Sequence, residues 1–387
     1  MEKVRLGIIG IGNMGTIHAN NVYGGSVTDM VLGAVCDIDQ EKEKFCSEKY
    51  PGVPFFTDYK EMIKSGLVDL ILIAVPHFLH PEMAIFGFEN GMHVITEKPA
   101  GVYTKQVLEM NEAAKKSGKL FGINYCQRTR PMYQKIKKMV ESGELGHIKR
   151  IQWTVTNWYR PQSYHDSGAW RSTWKDEGGG TLINQNPHQL DLWQWMFGMP
   201  SRLMAHMSFG KYYNIEVEDD VTAFMEYDNG TTGVYITSTG ESPGTNRLEV
   251  ACDMGRVIAE NDRLFFDRNE ISEREFNKIS NKVFGGNPYW KSEFPFGSSG
   301  TYHIGILNDF ANVLKNGGEL LASGYEGING LTISNAMHYS AFTGGWADVK
   351  NFPHDEFYKL LKERIDNSKP KQIQQNITSS LEGTYNG

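Results

Sequence analysis

Short apolar runs alternate with polar, helix-like stretches along the first 125 residues of the chain. Five of these runs are continuous rather than alternating, which is typical of parallel strands that are covered on both faces. They lie at residues 4–9, 30–36, 67–75, 93–96 and 120–124. The helix-like stretches between them lie at residues 40–49, 59–65, 81–90 and 105–117. The pattern predicts an α/β domain with a doubly wound parallel sheet over residues 1–125.

The pattern changes after Pro131. Beyond about Arg202 apolar and polar residues alternate with period two, and Asp228-Asn229-Gly230 is a strong hairpin signal between two such runs. These features predict helices at residues 132–141, 303–315 and 327–343, and strands at residues 149–157, 221–227, 232–237, 248–252, 256–260 and 264–267. We therefore expect a second, α+β domain over residues 126–365, built on a large open and mostly antiparallel sheet. Residues 366–387 form a polar tail that we expect to be disordered or to wrap around a partner.

Length and composition narrow the class of protein. A chain of 387 residues fits two domains, and its net charge of -7 gives no basic excess for binding nucleic acid. No run of about 18 apolar residues occurs, so the sequence predicts no membrane span. The four cysteines form no CxxC pair, which argues against a disulfide framework or a structural zinc site. With no secretion signal in view, a cytoplasmic enzyme is the expectation.

A glycine-rich turn follows the first predicted strand. Gly10, Gly12 and Gly15 fit the GxGxxG spacing, with Asn13 and Met14 inside the turn. The first glycine permits a tight turn, the second lets a pyrophosphate approach the backbone, and the third allows close contact between helix and strand. The motif between a strand and a helix predicts a dinucleotide site, in which we also place Asn13 and Met14.

The ends of the next strands supply further candidates for that site. Asp37 ends the second strand, where a carboxylate can accept hydrogen bonds from the adenosine ribose and would repel a 2'-phosphate, so NAD is favoured over NADP. We place the adjacent Ile38 in the same site. The third strand ends in small and cyclic residues against which a cofactor can lie, and the complete set here is Ala74, Val75, Pro76, His77 and His80. A metal site at the two histidines is disfavoured, because no carboxylate or thiolate accompanies them.

Four further motifs make the chain resemble the Gfo/Idh/MocA family of nicotinamide-dependent oxidoreductases. Glu97-Lys98-Pro99 ends the fourth strand, and Trp170-Arg171, Gly178-Gly179-Gly180 and the set Asn184, His188 and Asp191 follow in order. The resemblance spans about residues 1–350. It implies an N-terminal Rossmann domain, a second open-sheet domain, and sugar, cyclitol or related polyol substrates bound between them. The cofactor residues that we assign in this context are Glu97, Lys98, Asn124, Trp170 and Arg171.

The family pattern also implies a catalytic pair. Its conserved lysine and histidine map to Lys98 and His188, which suit a cation beside a developing alkoxide and a base that works near neutral pH. The residue four before the histidine is commonly Asp, whereas this chain has Asn184, which can orient a ring but cannot stabilise an imidazolium. We count Asn184 with the catalytic residues. A helix is predicted to begin at Pro187, and the sequence leaves open whether Asn184 reaches the same pocket.

Substrate contacts are predicted from aromatic and polar residues near these motifs. Six of the eight tryptophans lie between residues 153 and 195, and most are expected in the core, Trp193 among them. The residues assigned to the substrate are Lys98, Tyr125, Arg128, Trp158, Tyr159, His165, Asn184, Gln185 and His188.

The sequence thus favours an NAD-dependent dehydrogenase acting on a ring hydroxyl of a sugar, glycoside or cyclitol. An alternative is glycoside cleavage with recycled bound NAD, in which transient oxidation at C3 labilises a leaving group at C1. A second alternative is a nonenzymatic NAD or sugar sensor, against which Lys98 and His188 argue. The open sheet and the family resemblance lead us to expect a homodimer or homotetramer.

Overall fold

The computed structural model describes residues 3–369 and residue 371. The chain folds into two compact units that are not contiguous in sequence. The first unit contains the chain up to Thr129 together with Asp176–Gly178 and Gly300–Leu331, and the second contains the remainder. The chain therefore returns to the first unit twice. The predicted domains, 1–125 and 126–365, are contiguous and do not include these two returning segments. Most of the predicted polar tail lies outside the described residues, although Asp366 closes a helix.

The first unit is built on a parallel sheet of six strands in the order β3-β2-β1-β4-β5-β6. This order is that of a doubly wound dinucleotide-binding sheet, so the predicted fold class is confirmed for this unit. The strands are β1 (Val4–Ile9), β2 (Met30–Cys36), β3 (Phe55–Phe56), β4 (Leu70–Ile73), β5 (His93–Thr96) and β6 (Phe121–Ile123). The helices along them are α1 (Asn13–Tyr23), α2 (Lys42–Lys49), α3 (Tyr59–Lys64), α4 (His80–Glu89) and α5 (Thr104–Ser117).

The return of the chain to the first unit has a packing reason. The core of this unit joins apolar side chains of β1 and β4, such as Leu6 and Leu72, with Leu307, Phe310 and Ala311. The last three residues lie on α10 (Tyr302–Asn316), which the sequence predicts as an amphipathic helix at residues 303–315. The apolar face of α10 is thus buried against the parallel sheet, and this burial holds residues 300–331 in the first unit.

The second unit is built on a nine-stranded sheet in the order β14-β13-β12-β11-β7-β10-β9-β8-β15. Its strands are β7 (Ile148–Val155), β8 (Arg202–Phe209), β9 (Glu218–Glu226), β10 (Thr232–Ser238), β11 (Asn246–Cys252), β12 (Gly255–Glu260), β13 (Arg263–Asn269), β14 (Tyr289–Phe294) and β15 (Ala347–Asp348). Among the described residues β7 and β10 pair in parallel and the other neighbours pair antiparallel, which confirms the predicted sheet.

Most of the remaining helices belong to the second unit. The remaining helices are α6 (Pro131–Glu141), α7 (Gln162–Asp166), α8 (Pro187–Phe197), α9 (Glu273–Ile279), α11 (Gly327–Thr343) and α12 (His354–Asp366). Trp193 on α8 is fully buried and donates its indole N–H to the Tyr227 hydroxyl at 2.7 Å, so its predicted place in the core is confirmed. Within the part of the chain that the structure describes, none of the helices has the length and apolar character needed to span a bilayer.

Candidate active site

The glycine turn after β1 has the geometry that its motif predicts. Gly10 has a φ of +91°, and a Cβ there would stand 2.5 Å from the Ala74 carbonyl oxygen. A Cβ on Gly15 would stand 1.8 Å from the Gly10 carbonyl oxygen, so α1 can lie this close to the turn only with glycine there. At Gly12, by contrast, a Cβ would meet no atom within 4 Å. The turn is therefore packed on its inner side and open at Gly12, where α1 begins and where the exposed Asn13 and half-buried Met14 follow.

Asp37, which follows β2, is held by hydrogen bonds to this turn. Its Oδ2 accepts the Ile11 backbone N–H at 2.7 Å and the Lys42 ammonium at 2.8 Å, while Oδ1 accepts the Asp39 backbone N–H. Each carboxylate oxygen has two lone pairs, so Oδ1 keeps acceptor capacity for a hydroxyl. Ile38 beside it is 90% exposed, which is unusual for a large apolar side chain and leaves it available to a flat ring.

The end of β4 divides into surface and buried residues. Ala74 and Val75 are half-buried and Pro76 is exposed, so a ligand can reach this strand end, whereas His77 is buried. His80 is fully buried, with Nε2 2.8 Å from the Val75 carbonyl oxygen and Nδ1 2.8 Å from the Pro99 carbonyl oxygen. Burial lowers the pKa of His80 despite these hydrogen bonds. The structure thus uses His80 to join the ends of two strands rather than to face a cofactor.

The segment after β5 presents Lys98 and buries Glu97. Lys98 is half-buried, whereas Glu97 is only 5% exposed. The Glu97 carboxylate points into the unit, where Oε1 lies 2.6 Å from His18 Nε2 and accepts the Asn124 amide at 2.5 Å. Glu97 and Asn124 were assigned to the cofactor, but their side chains are engaged with each other. We expect them to act on the site through Lys98.

Tyr125 and Arg128, which the sequence assigns to the substrate, are also buried in the first unit. The Arg128 guanidinium donates to the Leu321 carbonyl at 3.0 Å and pairs with Glu326, and it lies over the Tyr125 ring. Tyr125 itself is 1% exposed. Both side chains thus bind residues 321–327 within the first unit, and the proposed substrate site does not include them.

In the second unit, His188 lies in the first turn of α8. The helix begins at Pro187, as the sequence predicts, but Asn186 before it does not cap the helix with its side chain. Its amide instead donates to the Thr181 hydroxyl at 2.9 Å, and its carbonyl oxygen accepts from Tyr235 at 2.7 Å. These buried bonds fix the turn before α8 and therefore the direction in which His188 leaves the helix.

A buried contact between a carboxylate and a histidine holds the start of the same turn. Glu218 accepts the Gly180 N–H at 2.8 Å and the Leu182 N–H at 2.9 Å, and its carboxylate lies 3.1 Å from His338 Nε2. Burial opposes ionisation of Glu218, but the His338 charge and these hydrogen bonds outweigh burial and lower its pKa. A Cβ on Gly180 would stand 2.1 Å from the Glu218 carbonyl oxygen, which explains why this glycine precedes the turn.

The hydroxyl of Tyr164 gathers three of the predicted residues. It accepts from the Arg171 guanidinium at 2.7 Å, the Gln185 amide at 3.1 Å and the Asn184 amide at 3.2 Å. Asn184 lies in the turn before α8, outside the helix that begins at Pro187. Tyr164 was not predicted, because a lone tyrosine in a polar segment carries no signal of its own. Asn184 thus donates to a phenol where the family pattern would have a carboxylate.

The guanidinium groups of Arg160 and Arg171 lie over the Tyr164 ring and also contact neighbouring tryptophans. The Arg171 guanidinium lies 4.6 Å from the centre of the Trp170 ring, and the Arg160 guanidinium lies 5.3 Å from that of Trp158. Trp170 and Arg171, which the sequence assigns to the cofactor, therefore belong to the second unit with the predicted substrate residues. Trp158 is half-buried and Tyr159 is exposed, so both are accessible to a ligand.

His165 is the exception in this group. It is 4% exposed, its Nδ1 lies 2.6 Å from the Ser172 hydroxyl, and its ring packs 4.7 Å from that of Tyr213. Burial and the nearby Lys371 lower its pKa to about 4. We therefore expect His165 to be neutral and to support the neighbouring Tyr213 ring by packing against it.

The fold and the open glycine turn define a dinucleotide-binding protein, and the comparisons with known proteins identify the family. The NAD-binding Rossmann model of the GFO/IDH/MocA oxidoreductase family matches residues 4–125, and its C-terminal domain model matches residues 133–258. The chain belongs to this family. The predictions of an NAD-binding oxidoreductase and of this resemblance are confirmed.

Individual relatives have low sequence identity to the chain but match most of its length. The chain is 25% identical to myo-inositol 2-dehydrogenase of Thermotoga maritima over 67% of this chain and 76% of that protein. It is 22% identical to levoglucosan dehydrogenase of Pseudarthrobacter phenanthrenivorans over 90% of this chain and 99% of that protein. The crystal structure of the WlbA dehydrogenase from Bordetella pertussis, in complex with NADH and UDP-GlcNAcA, shares the fold with a TM-score of 0.75 at 24% identity, over 89% of this chain and 98% of that chain.

Proposed function

We propose that the chain is an NAD-dependent dehydrogenase that transfers a hydride between a ring secondary hydroxyl of a sugar, glycoside or cyclitol and the nicotinamide. Family membership and the open turn at Gly12 support the cofactor. The relatives named for myo-inositol and levoglucosan support the substrate class. The observation that carries the proposal is the half-buried Lys98, presented at the end of β5 beside the accessible end of the neighbouring strand β4.

The first unit has the residues to hold NAD. The pyrophosphate would lie against the N–H groups at the start of α1, where Gly12 leaves room, and the adenosine ribose would bind the free lone pairs of Asp37. The Asp37 charge disfavours a 2'-phosphate, although Lys42 partly balances it. When bound, NAD supplies the hydride acceptor.

The chain's own residues handle the proton and the charge. Oxidation of a secondary alcohol removes a proton from oxygen, so the site needs a base and a group that stabilises the alkoxide. We assign the stabilising cation to Lys98 and the base to His188, as an acid/base pair. In the opposite direction the same residues would polarise a carbonyl and return the proton. Asn184 and Gln185, tied to Tyr164, and the accessible Trp158 and Tyr159 would bind ring hydroxyls and ring faces.

A substrate screen with matched variants tests the proposal. The purified chain is offered NAD with free sugars, glycosides and inositols, and NADH absorbance is followed in parallel with aglycone release. Lys98→Met and His188→Ala should each lower turnover by on the order of 100-fold or more while NAD still binds, as measured by calorimetry. His206→Ala, an exposed histidine on β8, serves as the control and should leave turnover unchanged.

The outcomes separate the alternatives. Wild-type turnover in both the Lys98 and His188 variants would contradict the assigned pair. Aglycone release without net NADH would instead support glycoside cleavage with recycled cofactor. NAD binding with no turnover on any substrate class would favour the sensor.

A further inference from the structure

Four buried polar side chains meet directly behind Lys98. His18 comes from α1, Glu97 precedes Lys98, Asn124 follows β6 and His303 comes from α10. The Asn124 amide nitrogen lies 2.5 Å from Glu97 Oε1, 3.1 Å from His18 Nε2 and 2.9 Å from His303 Nδ1. All four side chains belong to the first unit, and none is more than 8% exposed. A buried polar cluster of this size needs a reason, because removing such groups from water is costly.

A metal site is one reading of the cluster. The possible ligand atoms of His18, Glu97 and His303 lie within 4.8 Å of one another. Ligands bonded to one metal at about 2.0–2.2 Å in tetrahedral geometry stand roughly 3.3–3.6 Å apart. His18 Nε2 and Glu97 Oε1 are only 2.6 Å apart, and the Asn124 amide occupies the centre. The geometry is therefore that of a hydrogen-bond network.

The network keeps Glu97 as an anion. Its carboxylate faces His18 Nε2, receives the Asn124 amide, and accepts the backbone N–H of Lys98 at 3.2 Å. Burial alone would raise the pKa of Glu97, but the hydrogen bond with His18 and nearby positive charge, including that of Lys98, outweigh burial and lower it. The carboxylate is consequently charged at neutral pH.

The same contacts fix the backbone on both sides of Lys98. Glu97 Oε2 holds the Lys98 N–H, and His80 Nδ1 contacts the carbonyl oxygen of Pro99 at 2.8 Å. The titratable groups that respond to the Lys98 charge are Glu97, His80 on α4 and His303 on α10. Burial lowers the pKa of His80, and it lowers that of His303 to about 4, so the His303 ring is neutral near pH 7. Glu97 is therefore the anion of this group.

We propose that Glu97 is a positioning residue for Lys98: its buried carboxylate holds the Lys98 backbone N–H and places a negative charge beside the residue that carries the ammonium. The inference rests on the proposed function, in which Lys98 stabilises an alkoxide as a cation. His18, Asn124 and His303 act through Glu97 by keeping its carboxylate in place. The cluster thereby sets the alkaline limit of activity.

The direct test measures the protonation of Lys98 without a substrate. Acetic anhydride reacts only with the unprotonated amine, and mass spectrometry of the peptides gives the labelling rate of Lys98 as a function of pH. In Glu97→Gln, the half-point of Lys98 labelling should fall by about 1 pH unit or more, because the opposite charge is lost. The alkaline limb of kcat/KM should move to lower pH by the same amount.

Asp309→Asn provides the matched control. Asp309 is a carboxylate on the same helix as His303, and it accepts the Leu321 backbone N–H at 2.8 Å. Its replacement removes one negative charge from the same unit and should leave the Lys98 half-point in place. An equal shift in both variants would overturn the proposal, because general loss of charge would then explain the effect.

A second measurement covers the case in which Glu97→Gln does not fold. In the wild-type chain, the half-point of Lys98 should be no lower than that of Lys44, whose side chain is 85% exposed, because Glu97 offsets the effect of burial. A Lys98 half-point well below that of Lys44, or one unchanged in Glu97→Gln, would overturn the proposal. Full turnover in Lys98→Met would refute the proposed function instead. The labelling of Lys98 would still decide whether Glu97 affects the protonation of Lys98.

Discussion

Gly12 and Gly15 lie three residues apart in one turn, yet alanine should affect them in opposite ways. At Gly15 the new Cβ would stand 1.8 Å from the Gly10 carbonyl oxygen, a backbone atom that cannot rotate away. Overpacking of this kind costs roughly 1–3 kcal/mol or more, against a gain of about 1 kcal/mol from replacing glycine within a helix. We expect Gly15→Ala to lose about 2 kcal/mol and to lower the Tm of the first unit by roughly 4–8 °C.

At Gly12 the folded chain offers no obstacle. A Cβ there meets no atom within 4 Å, and the backbone φ of -81° suits any residue. Exchanging glycine for alanine at this N-cap should cost only about 0.5 kcal/mol. The same methyl group would, however, stand where the pyrophosphate must approach, so NAD affinity should fall by roughly 10-fold or more, which is about 1.4 kcal/mol.

Two measurements on the same samples check this contrast. Thermal unfolding reports the stability of each variant, and calorimetric titration with NAD reports its affinity. The expected pattern is a stable Gly12→Ala that binds NAD poorly and a Gly15→Ala that is less stable. If Gly12→Ala bound NAD as tightly as the wild type, the pyrophosphate could not lie at this turn, and the cofactor placement would be refuted.

Two further predictions concern buried groups in each unit. Burial lowers the pKa of His165 and of His303 from 6.5 to about 4, so the unfolded chain takes up protons first as the pH falls. Each histidine should therefore remove roughly 2 kcal/mol of unfolding free energy between pH 7 and pH 5, and urea unfolding of His165→Gln and His303→Gln should show a weaker pH dependence than the wild type. An unchanged pH dependence would contradict the assigned burial. Glu218→Ala should cost roughly 3 kcal/mol, because two backbone N–H groups lose their buried acceptor and His338 loses the carboxylate beside it, and Glu218→Gln should recover part of that loss in the same urea assay. A loss below about 0.5 kcal/mol in Glu218→Ala would show that water replaces the carboxylate.

The sequence predicted the elements whose signal is local. Continuous, mostly apolar runs gave β1, β2 and β5 with their observed bounds, because strands covered on both faces have few polar positions. The helix α12 was missed, although Phe357 and Leu361 are spaced four apart and both are buried. Its many charged residues resembled the polar tail that follows, so only the spacing of two apolar residues could have revealed it.

The candidate site was only partly predictable for a different reason. Motif residues such as Gly12 and Lys98 carry a chemical role that their neighbours in sequence support. The side chains that hold these residues in place have no such support from their sequence neighbours. Glu97 contacts His18 across 79 residues, and Asn124 contacts His303 across 179. Such contacts depend on the tertiary fold, and no local pattern encodes them.

Glu97 and Glu218 show why each unit buries charged groups, although burying an apolar side chain would cost less free energy of desolvation. Both carboxylates lie beside loop segments whose N–H groups have no strand partner, at Lys98 and at Gly180 and Leu182. A buried N–H without an acceptor is costly, and an apolar side chain cannot supply one. A carboxylate accepts several N–H groups at once, and a histidine beside it makes its burial tolerable. Both carboxylates have lowered pKa values, so the stability that they provide is present above about pH 4.5 and is lost as the pH falls toward their folded-state pKa. The backbone of the loops that carry the proposed chemistry is thus held by ionised carboxylates at neutral pH and loses this support in acid.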